Sequence, residues 1–143
     1  MCLMLYVGTA EALPLSSSPD LAVEEVEDSR RAVTQWFSQP AVRFIGAHGG
    51  CSCAFPSVIA EEPIEYYEGM DLESHHEEAD LRSVRALLAL LGQAVASASP
   101  VELYPVWWGD ESMAPKGVIE WRFDDLSPER FFFNERFMHV VRR

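Results

Sequence analysis

The chain has 143 residues, of which 48% are hydrophobic and 24% are charged. These proportions are typical of one folded domain with a single hydrophobic core. The 23 acidic and 11 basic residues leave a formal net charge of −12, which repels phosphate backbones and anionic lipid surfaces. We therefore expect one globular domain over residues 1–143 that binds neither nucleic acid nor membrane.

Short apolar runs separated by turn-forming residues dominate the first third of the chain. The first run is apolar at successive positions, as in a central strand buried on both faces. Pro40 ends a short helix that Asp28 and Ser29 can cap. These features predict strands over residues 2–7, 21–27 and 41–47, and a short helix over residues 30–37.

The clearest periodic segment follows the acidic middle of the chain. Ser74 and Glu77 have the spacing of a capping box, which marks a helix N-terminus. Apolar residues then recur every three or four positions and predict one buried helix face. We expect a long helix over residues 74–97, ended by Ser99-Pro100, with the apolar stripe Leu81, Val84, Leu87, Leu88, Leu91 and Val95.

The last third of the chain is again strand-like, with expected strands over residues 103–108, 118–123 and 131–141. The order of elements lacks the regular strand–helix alternation of a doubly wound fold. We therefore predict an α+β domain with a mostly antiparallel sheet and one short and one long helix packed on one face. A parallel pairing of the first strand with residues 41–47 would make the sheet mixed.

One imidazole and two thiols lie within six residues, in the segment His48-Gly49-Gly50-Cys51-Ser52-Cys53. The remaining cysteine, Cys2, would join them if the first strand runs beside this segment. Thiolate and imidazole are ligands for soft and borderline metals. We predict a zinc-like or other thiophilic metal site formed by His48, Cys51, Cys53 and Cys2, although zinc motifs usually present C-x₂₋₄-C and not C-x-C.

The same residues suit two other roles. Two neighbouring thiols can form a disulfide, and a protonated His48 beside Cys51 or Cys53 would lower a thiol pKa and increase its nucleophilicity. Alternatively, the cysteines pack as small apolar residues at the edge of the core, a common place for free thiols. The candidate catalytic residues are therefore Cys51, Cys53 and His48, and inert packing remains open.

Two acidic tracts carry weaker hypotheses. His75 and His76 are adjacent on the expected helix and point about 100° apart, so they do not converge on one ion. His76 and Asp80 lie one turn apart, a spacing with which they could share an ion. The alternative is that the acidic residues of this first turn complement the helix dipole. The carboxylates over residues 61–68 would serve an acidic enzyme only if they converge and are partly desolvated.

Adjacent aromatic residues raise the question of assembly. In a strand, one ring of Trp107-Trp108 and at least one of Phe131-Phe132-Phe133 would face away from the core. Large exposed apolar rings are usually covered by another element or subunit. We therefore expect a homodimer in which a second subunit covers them. The alternative function is therefore a non-catalytic interaction or scaffold domain that dimerises through aromatic strands.

The remaining signals concern compartment and nucleotide chemistry. The apolar start has no basic region before it, and Glu11 interrupts it, so we interpret it as a strand and not as a signal peptide. Reduced thiols in the cytoplasm are then expected, not a disulfide framework. The chain carries no phosphate-binding loop, dinucleotide fingerprint, nucleophile elbow or H-E-x-x-H sequence.

Overall fold

The described part of the chain forms a seven-stranded sheet with a helix on one face. A computed structural model describes residues 2–59, 62, 77–96 and 99–143. The strands are β1 (Leu3–Thr9), β2 (Ser16–Ser17), β3 (Leu21–Glu25), β4 (Ala41–Ala47), β5 (Ser57–Val58), β6 (Val101–Trp107), β7 (Val118–Arg122), β8 (Phe133–Asn134) and β9 (Met138–Arg142). The helical segments are a 3₁₀ helix (Asp28–Trp36), α1 (Glu78–Ala94) and a 3₁₀ turn (Phe123–Asp125).

The main sheet has the strand order β2-β3-β4-β1-β6-β9-β7, so β1 lies at its centre. Within it β7 and β9 run parallel, and the other described pairs are antiparallel. Strands β5 and β8 form a small parallel sheet of their own. The mostly antiparallel α+β class is confirmed. The suggested parallel pairing of the first strand with residues 41–47 is wrong, because β1 pairs antiparallel with β4 and aligns Leu5 with Ile45.

The centre of the sheet is covered on both faces. All seven residues of β1 are buried, and a strand buried on both sides needs a layer above and below it. On one face Leu5 belongs to the same apolar cluster as Leu87 of α1, whereas on the other Tyr6 packs with Val33 of the 3₁₀ helix. The expectation that both helices cover one face is therefore not confirmed, and the short one is not α-helical.

Helix α1 buries the face that the periodicity predicts. Val84, Leu87, Leu88 and Leu91 are buried within it. Its capping box joins Glu77 and Asp80, one turn later than the expected one. Ser74 lies outside the described residues, so the structure does not test its predicted capping role.

The expected final strand is interrupted. Residues 131–141 give β8 and β9, separated by a turn in which Arg136 has a φ of 63°. Phe131, Phe132 and Phe133 are all at most 1% exposed, because regular side-chain alternation does not apply across this irregular segment. The triplet therefore offers no outward ring, and the dimer prediction loses that part of its basis.

A buried histidine, His139 on β9, gives the fold an expected pH dependence. Its ring packs against Trp121 and Phe133, with centroids 4.5 and 5.2 Å away. Its Nε2 accepts a hydrogen bond from the Asn134 backbone N–H. Burial lowers the pKa of His139 from 6.5 to about 3. The neutral ring is thus part of the folded state.

We expect His139 to make the protein less stable in mild acid. Between pH 6.5 and 3 the unfolded chain binds a proton at this ring and the folded chain does not, so the unfolding free energy falls as the pH falls. From pH 7.5 to 5.5 the loss is about 1.4 kcal/mol. Urea unfolding should show this decrease in the native protein beyond the decrease in His139→Gln, whereas parallel pH profiles would contradict the assignment.

Candidate metal centre

A glycine turn after β4 reverses the chain and begins the candidate site. Gly49 and Gly50 have φ values of 84° and 93°, in the left-handed region that favours glycine. The reversal is closed by two hydrogen bonds, from Gly50 N–H to the Ala47 carbonyl and from Ala47 N–H to the Cys51 carbonyl. Cys51 is thereby held against the end of β4.

Ser52 pins the loop between the two central strands. Its hydroxyl accepts a hydrogen bond from Leu5 N–H at 2.9 Å and donates one to the Ile45 carbonyl at 2.6 Å. Its own N–H donates to the Leu3 carbonyl, and its side chain is fully buried. Because the central residue of Cys51-Ser52-Cys53 faces inward, its two neighbours are directed toward the surface.

The start of β1 brings Cys2 to the same place. Leu3 N–H donates to the Cys53 sulfur at 3.2 Å, and the Cys2 carbonyl accepts a hydrogen bond from Trp108 N–H at the end of β6. The Sγ atoms of Cys2, Cys51 and Cys53 consequently lie within 4.8 Å of one another. We call these three residues the thiol cluster. The sequence made the approach of Cys2 conditional on the first strand running beside this segment, and the structure brings the three cysteines together.

The thiol cluster lies at the surface. All three cysteines are free, with Cys2 and Cys53 exposed and Cys51 half-buried. Packing at the edge of the core would cover the sulfurs with apolar neighbours. The observed exposure does not favour that alternative.

The pKa values of Cys51 and Cys53 are shifted in opposite directions. Burial acts to raise the pKa of Cys51, but hydrogen bonds from the Cys53 backbone and from the Cys53 and Cys2 thiols outweigh it and hold that pKa below its usual value. Burial and the hydrogen bond to Cys51 raise the pKa of Cys53 to about 11, against the opposing effect of the Leu3 N–H. The hydrogen bonds from its neighbours therefore favour the thiolate form of Cys51.

His48, the fourth predicted ligand, lies outside the thiol cluster. Its Nε2 is 2.5 Å from Oδ1 of Asp80 on α1, and its backbone N–H donates to the buried Ser83 hydroxyl. The structure thus directs this imidazole to the helix and not to the sulfurs. Sequence reasoning missed the anchoring role of Ser52 within this segment, because its partners Leu5 and Ile45 belong to strands. It also missed Ser83 and this role of Asp80, because no local pattern links the helix to residues 48–53.

Of the two acidic tracts, the structure describes only a part. His75, His76 and most of residues 61–68 lie outside the described residues. Their predicted roles stay predictions. Among the described residues, the one group of three or more potential metal ligands with this mutual spacing is the thiol cluster.

Comparison with known proteins does not place the chain in a family. No family model, no curated protein and no solved structure matches it. Within the described part of the chain, no helix has the length and apolar character needed to cross a bilayer. A functional proposal must therefore be based on the site itself.

Proposed function

We propose that this protein binds a thiophilic metal ion through Cys2, Cys51 and Cys53. The observation that carries the proposal is the convergence of three sulfurs within 4.8 Å of one another. Thiolates are soft ligands that select zinc, Cu(I) and related ions over hard cations. The proposed site differs from the sequence prediction in having no imidazole ligand.

The spacing of the sulfurs is compatible with one ion. At a metal–sulfur distance of about 2.3 Å, two ligands of the same ion lie roughly 3.8–4.0 Å apart. The observed limit of 4.8 Å therefore requires each pair to close by less than about 1 Å. Since Cys2 and Cys53 are exposed, their side chains have room to make this adjustment.

We expect the native protein to bind one Cd²⁺ ion, used here as a general probe of thiolate sites, with an ultraviolet sulfur-to-metal charge-transfer band. Replacing Cys51, the half-buried member of the thiol cluster, with serine should weaken this binding more than about 100-fold, since loss of a ligand exceeds loss of a supporting contact. Titration followed by absorbance, together with the metal content of protein purified without chelator or polyhistidine tag, measures both effects.

The matched control is His48→Gln, which removes the imidazole paired with Asp80. This variant should retain the charge-transfer band and bind Cd²⁺ nearly as well as the native protein. An effect as large as that of Cys51→Ser would instead make His48 a ligand. No saturable Cd²⁺ band in the reduced native protein would overturn the metal-binding proposal.

A second candidate is reversible disulfide formation within the thiol cluster, which the same proximity and exposure support. Two thiols would lose two protons and pass two electrons to an oxidised disulfide partner, which is reduced to two thiols. The S–S bond of about 2.05 Å requires a larger approach than metal binding does. Mass spectrometry after equilibration with glutathione buffers should then show loss of two hydrogens and one remaining free thiol.

Both candidates require reduced cysteines, so we propose a reducing compartment such as the cytoplasm as the place of action. The alternative of a dimeric interaction domain stays a prediction. Its remaining support is Trp108, which directly follows β6. This residue is 55% exposed. Sedimentation at micromolar concentration distinguishes a dimer from a monomer.

A further inference from the structure

We infer that the ion for which the thiol cluster is suited is Cu(I), held by three thiolates in a trigonal arrangement and exchanged with external thiol ligands. This inference rests on the proposed metal-binding function and specifies its ion. On binding, three S–H groups release their protons to solvent and three S–Cu bonds form. The copper remains Cu(I) throughout, so no electron is transferred.

The number of ligands is the first reason. Three sulfurs converge, and among the described residues no imidazole or carboxylate joins them as a fourth ligand. Structural zinc sites are closed by four protein ligands, and His48, the fourth ligand that the sequence predicts, is engaged by Asp80. Cu(I) is a soft, closed-shell ion that thiolates satisfy without a fourth ligand.

The exposure of the site is the second reason. Cys2 and Cys53 are both exposed, so the thiol of a donor or acceptor molecule can reach a bound ion directly. Exchange of a soft ion between thiolates then proceeds by adding one ligand and releasing another. A closed structural site would prevent this step.

The third reason is that hydrogen bonds within the protein position the loop. The buried Ser52 joins Leu5 and Ile45 through its hydroxyl, and Leu3 N–H contacts the Cys53 sulfur. A structural zinc ion supplies folding free energy directly, but here protein hydrogen bonds already position the sulfurs. The bound ion is therefore not needed for folding, and its removal should leave the fold intact.

The test is an anaerobic titration of the full-length reduced chain with Cu(I), in competition with the chromophoric chelator bicinchoninate, and a parallel titration with Zn²⁺. We expect one Cu(I) per chain, bound at least about 100-fold more tightly than Zn²⁺. X-ray absorption at the copper edge should show three sulfur ligands. Circular dichroism should be the same before and after the metal is removed.

The variants identify the ligands. Cys2→Ser, Cys51→Ser and Cys53→Ser should each lower the Cu(I) affinity about tenfold or more, and the affected chains should keep their circular dichroism because the thiols are at the surface. Met113→Leu is the control, since it removes an exposed soft thioether outside the thiol cluster and should leave binding unchanged. Bound Cu(I) should also protect all three thiols from alkylation.

The possible failures are distinguishable. Tighter binding of Zn²⁺ than of Cu(I), or a copper edge with two or four sulfurs, would overturn the Cu(I) inference and leave the metal-binding proposal standing. Absence of Cd²⁺, Zn²⁺ and Cu(I) binding would overturn both. Unchanged Cu(I) affinity in all three cysteine variants would place the ion outside the thiol cluster and overturn both proposals.

Discussion

Ser52→Ala should destabilise the protein by about 2–4 kcal/mol and weaken metal binding at the same time. The substitution removes a hydroxyl that is fully buried and that satisfies one donor and one acceptor of the central strands. The Leu5 N–H and the Ile45 carbonyl would lose these partners. Leaving a buried polar group unpaired costs about 1–3 kcal/mol, and water reaches this site poorly.

The control for Ser52→Ala is Ser57→Ala. The Ser57 hydroxyl makes a longer bond, 3.3 Å to Glu135, and its residue is only half-buried. Urea unfolding at neutral pH should therefore show a loss below about 1 kcal/mol for Ser57→Ala. If Ser52→Ala has the same unfolding free energy as the native protein, the claim that the Ser52 hydroxyl holds the loop against β1 and β4 is wrong.

Phe133→Ala should cost about 3–5 kcal/mol of unfolding free energy. Its ring is fully buried and forms edge contacts with Phe55 and Phe131, with centroids 6.5 and 4.9 Å away. Its backbone N–H donates to the Pro56 carbonyl at 2.7 Å. Removing the ring leaves a cavity under the segment that follows Cys53.

The comparison for Phe133→Ala is Phe123→Ala, which truncates a half-buried ring at the edge of the same core. Urea unfolding should show a clearly smaller loss of unfolding free energy for Phe123→Ala, because Phe123 buries less apolar area on folding. Similar losses for both variants would contradict the position of Phe133 at the centre of the aromatic cluster. Thiol-cluster variants, in contrast, should change metal binding far more than stability.

Local patterns predicted most of the elements because strand and helix periods are properties of neighbouring residues. The strand over residues 41–47 has the predicted bounds, and the apolar stripe of α1 is buried as expected. The final strand was predicted without its break, since nothing local signals the left-handed Arg136. The continuous apolar run of β1 predicts that this strand is buried on both faces. No local pattern predicts on which face the 3₁₀ helix packs.

The site divides in the same way. The sequence by itself determined that Cys51 and Cys53 are near each other and that a glycine pair permits a turn before them. Only the tertiary structure brought Cys2 to them, because Leu3 and Cys53 are 50 positions apart and meet through the register of β1 beside β4. Likewise, only the packing of α1 against the sheet paired His48 with Asp80, since contacts between distant segments depend on the whole fold and not on local spacing.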